Sequence, residues 1–346
     1  MERYQLTDAY DISRLIKGGW HLAGGHGAIE ERQAIADMAT FVEAGIDTFD
    51  CADIYTGVEE MIGRFRQQYP MLAARVRVHT KFVPDLAHLG QINAQYVERI
   101  VDRSLIRLGV EQLDLVQFHW WDFEKDGYVE AALELENLRK AGKISRVGVT
   151  NFDTDHLAEL CDAGVTVSAH QLQYSVLDNR PSDRMVDFCE SRGIALLCYG
   201  TVAGGFLSDR WLGQPEPIGA LANRSLVKYK LIIDEFGNWQ RFQGLLQLLR
   251  RIADAHGVDI ASVATKAILQ RRGVAAAIVG ATSTRHLGAH QQLSVFELND
   301  IESNEIEQMT KASSGPAGDV YQLERDRHGP HGRIMKYDLN EKPATR

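Results

Sequence analysis

The feature that most constrains the fold is a regular alternation of short apolar runs with amphipathic segments. Eight runs have the composition of buried strands and begin near residues 15, 45, 76, 113, 144, 165, 194 and 274. Helical patterns separate them, as in residues 30–44, where apolar residues share one helical face and Gly45 ends the pattern. This alternation predicts a parallel sheet with helices packed outside it.

The number of these units, in a chain of 346 residues, favours an α/β fold in which residues 1–346 form a single (β/α)8 TIM barrel. Residues 200–238 follow the seventh strand and have the length of a functional loop. A further helix near residues 301–311 and a polar C-terminal extension follow the eighth unit. The alternative, a doubly wound open sheet, requires a glycine-rich turn after its first strand, and neither Gly18-Gly19 nor Gly24-Gly25 makes a convincing one.

Composition narrows the possible partners. A formal net charge of -9 argues against binding to a nucleic-acid backbone. Cys51, Cys161, Cys189 and Cys198 lack metal-ligand spacing, so we expect reduced thiols and no metal site. The first twenty residues do not resemble a signal peptide, and no apolar run reaches the length of a membrane span. We therefore expect a cytoplasmic protein that binds no membrane, with its oligomeric state open.

Polar side chains follow three consecutive predicted strands: Asp50 and Tyr55 after the second, Lys81 after the third and His119 after the fourth. In a barrel these strand ends meet at one mouth. A free phenol has a pKa of about 10, and a nearby ammonium group lowers it, so Lys81 is expected to make Tyr55 a better acid. Asp50 would hold Lys81, and His119 would direct a substrate oxygen or share the transferred proton.

Such a cluster suits proton delivery to a carbonyl oxygen while hydride reaches its carbon. No side chain can supply hydride, so a cofactor is implied. Taken singly, these residues also have structural interpretations: Lys81 as a surface lysine, His119 as a core histidine, Tyr55 as a packing residue. Their joint position at consecutive strand ends favours the functional interpretation.

Residues 45–55 and 113–119 resemble two signatures of the aldo-keto reductase superfamily, and the resemblance covers nearly the whole chain. In that family the matching positions form a catalytic tetrad, here Asp50, Tyr55, Lys81 and His119, with the tyrosine as general acid. The resemblance implies a nicotinamide cofactor bound across the barrel mouth, without a Rossmann domain, and a small carbonyl or alcohol substrate.

The resemblance also implies cofactor contacts. Thr150 and Asn151 match a polar pair that binds the carboxamide, Gln171 completes that contact, and Tyr199 matches an aromatic residue that stacks on the nicotinamide ring. The residues expected to bind the cofactor at the mouth are Trp20, Thr150, Asn151, Gln171, Tyr199, Gly200, Thr201, Arg210 and Arg224. Structural alternatives remain open, such as a helix cap for Asn151.

Residues 278–290 resemble the segment that binds the adenosine phosphate. The positions assigned there are Gly280, Thr282, His286 and His290. The family pattern is not kept, because His286 replaces a glutamine or arginine, Ala289 a glutamate and His290 an asparagine. Arg285, His286 and Arg224 could meet a 2′-phosphate, which favours NADP, and NAD is the alternative.

Three tryptophans, Trp20, Trp120 and Trp121, are expected to wall the substrate site, with Tyr128 or Trp239 as possible additions. The leading function is NADP-dependent reduction of aldehydes or ketones. One alternative is an NAD(P)-dependent aldose or alcohol dehydrogenase. Another is a regulatory protein like the potassium-channel β-subunits, although these typically carry asparagine at the position of His119.

Overall fold

The computed structural model describes residues 1–24, 27, 29–281 and 283–340. Its strands are β1 (Arg3–Thr7), β2 (Tyr10–Ser13), β3 (Leu15–Gly18), β4 (Thr48–Asp50), β5 (Arg77–Phe82), β6 (Leu115–Phe118), β7 (Val147–Thr150), β8 (Val167–Gln173), β9 (Ala195–Tyr199) and β10 (Val274–Gly280).

Its α-helices are α1 (Glu31–Glu43), α2 (Val58–Gln68), α3 (Pro70–Ala73), α4 (Ala94–Leu108), α5 (Tyr128–Lys140), α6 (Thr154–Asp162), α7 (Arg184–Arg192), α8 (Arg224–Phe236), α9 (Trp239–His256), α10 (Ile260–Leu269), α11 (Leu287–Gln292), α12 (Asp300–Lys311) and α13 (Gln322–Arg325). Short 3₁₀ helices span Trp20–Ala23, Leu86–Gln91, Arg180–Ser182, Ala203–Gly205, Asp209–Trp211, Thr284–His286 and Gly332–Ile334.

Strands β3 to β10 close into a parallel barrel in chain order, with β10 beside β3, and helices pack around it. The predicted (β/α)8 architecture is confirmed. Gly18, Asp50 and His79 lie in register across β3, β4 and β5, and Lys81 on β5 is paired with Gln117 on β6. Parallel register therefore brings the polar residues at the ends of these strands to the same rim.

The antiparallel hairpin of β1 and β2 was not predicted. It closes the end of the barrel opposite the mouth, where Leu6 and Ile12 join the apolar residues of the barrel interior. The hydroxyl of Tyr10 lies 3.2 Å from Nε2 of His79. These strands are only 5 and 4 residues long, so periodicity gave little signal.

The predicted connection at residues 200–238 contains a helix. α8 buries Tyr229, Ile232, Ile233 and Phe236, whose spacing follows one helical face, and Asn223 caps its first turn. The glycine- and proline-containing residues before it obscured this pattern. The irregular part of the connection is consequently shorter than predicted.

The C-terminal extension, residues 312–340, crosses the carboxyl-terminal face of the barrel. Tyr321, Glu324 and His331 within it are buried. Arg180 donates to the Glu324 carboxylate over 2.9 Å, and the backbone amide of Thr154 donates to Asp319 over 3.1 Å. Polar composition alone predicts a solvated tail, but partners on the barrel satisfy these buried polar groups.

Among the described helices, none combines the length and apolar character that crossing a membrane requires.

Candidate active site

A buried ion pair lies at the centre of the mouth. The Lys81 ammonium donates to both carboxylate oxygens of Asp50, over 2.7 and 2.8 Å, and to the carbonyl of Cys51 over 2.8 Å. Burial alone would lower the pKa of Lys81, but the Asp50 carboxylate, with smaller effects of Tyr55 and Cys51, raises it above its ordinary value. The lysine therefore carries a fixed positive charge.

Two glutamines complete this centre. The side-chain amide of Gln171 donates to Asp50 over 2.6 Å and to the Gln117 oxygen over 3.0 Å, while Gln117 donates to Asp50 over 3.2 Å. Gln171 thus lies beside the predicted tetrad, with its amide nitrogen turned to Asp50. Gln117 was not predicted. Gln117 could have been predicted from its position two residues before His119, because side chains two residues apart on a strand point in the same direction.

Tyr55 lies at the edge of this centre, half-buried. The Lys81 ammonium is 4.9 Å from the centroid of its ring. Burial raises the pKa of Tyr55 to about 12, although Lys81 acts in the opposite direction. The predicted net lowering of this pKa is therefore wrong here, because loss of hydration outweighs attraction to the ammonium group. The phenol keeps its proton at neutral pH.

His119 is buried, and its Nδ1 lies 3.1 Å from the carbonyl oxygen of Thr150. A carbonyl only accepts, so Nδ1 carries the proton. Burial first, and then the charges of Arg325 and Lys81, lower the pKa of His119 to about 3, so the ring is neutral. Its Nε2 is a bare acceptor without a hydrogen-bond partner in the described part of the chain.

The tryptophans assigned to the substrate wall separate into two groups. Trp20 packs edge-on against Tyr55 with ring centroids 5.1 Å apart, and Trp121 packs edge-on against His119 at 4.3 Å. Trp120 is fully buried and donates to the carbonyls of Asp122 and Lys125. The structure therefore brings Trp20 and Trp121 to the site and turns Trp120 into the helix layer.

The two aromatic residues named as possible additions also lie elsewhere. Tyr128 packs against Trp120 at 6.4 Å and donates to Glu159. Trp239 packs against Phe206 and is buried.

At the end of β7, Asn151 has a φ of 61°. A non-glycine residue in this left-handed region is uncommon and worth attention as a site feature. The Asn151 side-chain oxygen accepts from the hydroxyl of Tyr199 over 2.8 Å, and its backbone carbonyl accepts from Arg325 over 2.6 Å. Thr150, Asn151 and Tyr199 are thus brought together beside Gln171.

The loop after β9 turns tightly beneath α8. Gly200 has a φ of 80°, and a Cβ atom there would lie 2.5 Å from the Tyr229 hydroxyl, so a side chain is excluded. Thr201 is buried, and its hydroxyl lies 3.3 Å from that of Thr265. The Thr201 side chain is therefore directed inward, toward α10.

The two arginines assigned to cofactor phosphates differ in environment. Arg210 is exposed and lies 5.7 Å from the ring centroid of Trp211. Arg224 begins α8 and donates to the carbonyl of Ile334 in the C-terminal extension.

The segment after β10 contains exposed and half-buried residues. Gly280 ends β10 beside the ring of His21. Arg285 donates to Nε2 of His286 over 3.2 Å, and both side chains are exposed. The ring of His290 lies 6.4 Å from that of Phe41, and burial lowers its pKa to about 4. Thr282 lies outside the described residues.

Two further residues of the C-terminal extension reach the site. The ring of Tyr321 is 5.6 Å from that of His119, edge-on. Arg325 donates to the carbonyls of Trp120, Trp121 and Asn151. Sequence patterns gave no sign of either role, because the contacts join residues far apart in the chain. Among the described residues, no group of His, Cys, Asp or Glu side chains is arranged to hold a metal.

Comparison with known proteins is consistent with this architecture. The model of the aldo/keto reductase family matches residues 14–311. The NADH-specific methylglyoxal reductase of Escherichia coli is 24% identical over 329 residues, which cover 88% of this chain and 97% of that protein. Flagellar radial spoke protein 5 of Chlamydomonas reinhardtii is 29% identical over 254 residues, 62% of this chain and only 48% of the spoke protein.

Among solved structures, the glycerol dehydrogenase AKR11B4 from Gluconobacter oxydans superposes with a TM-score of 0.75 at 21% identity, covering 91% of this chain and 97% of that one. This likeness shows the shared fold. The family match extends over most of the chain and includes the strand ends described above. The chain therefore belongs to the aldo/keto reductase family, whose members are oxidoreductases that act on carbonyl groups and use nicotinamide cofactors.

Proposed function

We propose that this protein reduces aldehydes or ketones with NADPH, and that Tyr55 donates the proton. The observation that carries the proposal is the buried Lys81–Asp50 pair, joined over 2.7 Å, with the ammonium 4.9 Å from the Tyr55 ring centroid. A fixed cation beside a phenol stabilises the phenolate that remains when the proton leaves.

Different side chains have different roles in proton transfer. Tyr55, with a pKa of about 12, holds its proton at neutral pH and can give it to an oxygen that becomes negative. Lys81 then faces the new phenolate, while Asp50 keeps the lysine in place. His119 Nε2, a bare acceptor, can accept a hydrogen bond from the Tyr55 hydroxyl or from the hydroxyl of the product.

The residues present fit a nicotinamide cofactor, which would supply the hydride. Asn151 and Tyr199 are joined over 2.8 Å at the mouth, which places an amide and an aromatic ring side by side. We propose that Thr150, Asn151 and Gln171 hold the carboxamide and that Tyr199 stacks on the ring. We propose that Trp20 contacts both the cofactor and the substrate.

The choice of NADP rests on Arg285 and His286, which present a cation and an imidazole at the exposed end of the site. Arg224 supports this choice less, because its guanidinium already donates to the Ile334 carbonyl. NAD is the competing cofactor, as in the NADH-specific relative from Escherichia coli. We propose a cytoplasmic location, since all four cysteines are free thiols.

Tyr55→Phe tests the proposal. Because the phenyl ring keeps the packing but has no proton to give, turnover should fall by about 10²- to 10⁴-fold with the Kd for NADPH unchanged. The assay follows nicotinamide fluorescence over short aldehydes, ketoaldehydes such as methylglyoxal, ketones and aldoses. Tyr128→Phe, which removes a hydroxyl in the helix layer, is the matched control and should keep turnover.

Unchanged turnover in Tyr55→Phe would remove this residue from the mechanism. Wild-type protein that binds the cofactor but turns over none of these carbonyl compounds would favour a regulatory role, as in the alternative related to channel β-subunits.

A further inference from the structure

The family match ends at residue 311, yet the chain that follows is fastened over the barrel mouth at several points. The amide of Leu86 donates to the Tyr337 carbonyl over 3.0 Å, and the Asn340 side chain donates to the Val83 carbonyl over 2.7 Å. With the Asp319 and Glu324 contacts, residues 312–340 thus touch the connections that follow β5, β7 and β8.

Within this segment, Arg325 contacts two strand ends at once. Its guanidinium donates to the Trp121 carbonyl over 3.0 Å, to the Asn151 carbonyl over 2.6 Å and to the Trp120 carbonyl. The planar ring of Phe123 covers it at 3.9 Å. A planar fork with five donors suits several acceptors at fixed angles, which a lysine cannot reproduce.

The backbone positions that Arg325 contacts adjoin the residues of the site. Trp120 directly follows His119. Asn151, held at a φ of 61°, follows Thr150, whose carbonyl accepts from His119 Nδ1. Arg325, from a distant part of the chain, therefore binds the backbone directly after His119 and the backbone directly after Thr150.

We propose that Arg325 is a positioning residue, which fixes the ends of β6 and β7 so that His119 and Asn151 keep their places at the mouth. Arg325 does not need to contact substrate in this role. Its charge also faces His119 from the extension, as Lys81 does from β5, while the nearest aromatic groups are Trp121 and Tyr321.

Arg325→Ala tests the proposal by hydrogen exchange, without cofactor. Peptides covering residues 119–123 and 150–154 should exchange faster, whereas the peptide covering α9 should not change. Guanidinium ion at millimolar concentration should restore protection by occupying the vacated place. Arg333→Ala is the control, because Arg333 belongs to the same C-terminal segment and its side chain is exposed.

Activity gives a second readout that rests on the proposed reductase function. A displacement of about 1 Å at catalytic groups costs on the order of 100-fold, so kcat/KM should fall by about that factor and recover with guanidinium. Arg325→Lys, which keeps the charge but loses the fork, should stay impaired.

Unchanged exchange at the two strand ends in Arg325→Ala would overturn the proposal, as would full activity of Arg325→Lys. Faster exchange over the whole protein would do the same, since it would indicate a general loss of stability. If the wild-type protein had no reductase activity, the exchange result would still decide the role of Arg325.

Discussion

Two regions of the mouth differ in how firmly their side chains are held. The floor, formed by Asp50, Lys81, Gln117 and Gln171, is buried, and its members bond to one another over 2.6 to 3.2 Å. The outer rim, residues 283–290, is a 3₁₀ turn and a short helix whose side chains are exposed or half-buried, and Arg285 donates to His286 there.

The difference indicates that the floor and the rim have different roles. Buried charges interact strongly and have no alternative partners, so they fix the geometry at which a proton can be transferred. Exposed charges are screened by solvent and contribute little to stability, so the rim is free to differ from the family pattern. Perturbing the floor should therefore have much larger effects than perturbing the rim.

The largest effect is expected from Lys81→Met at the floor. Loss of the cation leaves Asp50 buried without its counter-charge, which should cost about 3 to 5 kcal/mol of unfolding free energy. Turnover should fall on the order of 10³-fold, because the Tyr55 phenolate loses its stabilising charge. Urea unfolding and steady-state kinetics measure the two effects.

Lys17→Met is the matched control. Lys17 is also a buried lysine, but it faces the helix layer, where its ammonium lies 3.4 Å from the Ala281 carbonyl and 5.5 Å from the Phe41 ring centroid. It should keep turnover within a few-fold. Equal loss of turnover in both variants would contradict the special role of the floor.

An intermediate effect is expected where the extension meets the barrel. Burial alone would raise the pKa of Glu324, but the charges of Arg180 and Lys228 together lower it from 4.5 to about 2. Because the folded pKa is lower than the unfolded one, the carboxylate stabilises the fold above about pH 4.5, by roughly 3 kcal/mol, and this is lost as the pH falls toward 2.

Glu324→Gln should therefore be less stable than wild type at pH 7, and the difference should shrink as the pH falls through this window. Urea unfolding at a series of pH values measures it. Glu305→Gln removes an exposed partner of Arg251 and should change stability by less than about 1 kcal/mol. A difference for Glu324→Gln that did not depend on pH would show that its charge is not the source of the stability.

The smallest effect is expected from Arg285→Gln at the rim. An exposed ion pair is worth about 1 kcal/mol at most, so the Kd for NADPH should rise roughly fivefold. The Kd for NADH should not change, because it has no 2′-phosphate. Fluorescence titration of both cofactors measures this, with Arg251→Gln on α9 as the control. Wild-type protein that binds NADH as tightly as NADPH would contradict the choice of NADP.

Much of the architecture could be predicted because it depends on local pattern. Strand and helix periods identified the barrel, and alternation placed Asp50, Lys81 and His119 at adjoining strand ends, where the structure brings them together. The signal for α8 was also present, in the spacing of Tyr229, Ile232 and Phe236, although the loop around it concealed the helix. These features depend only on residues that are close together in the sequence.

Other features depended on the folded chain. Whether Tyr55 is a stronger or weaker acid than a free phenol follows from the balance of burial against the Lys81 charge, and burial is known only after folding. The burial of Trp120 in the helix layer and the contact of Arg325 with Asn151 likewise depend on groups that are distant in sequence. The sequence by itself determined which chemical groups are available and which strands carry them. The tertiary structure decided their hydration, their partners and thus their strength, because these depend on distances that no local pattern contains.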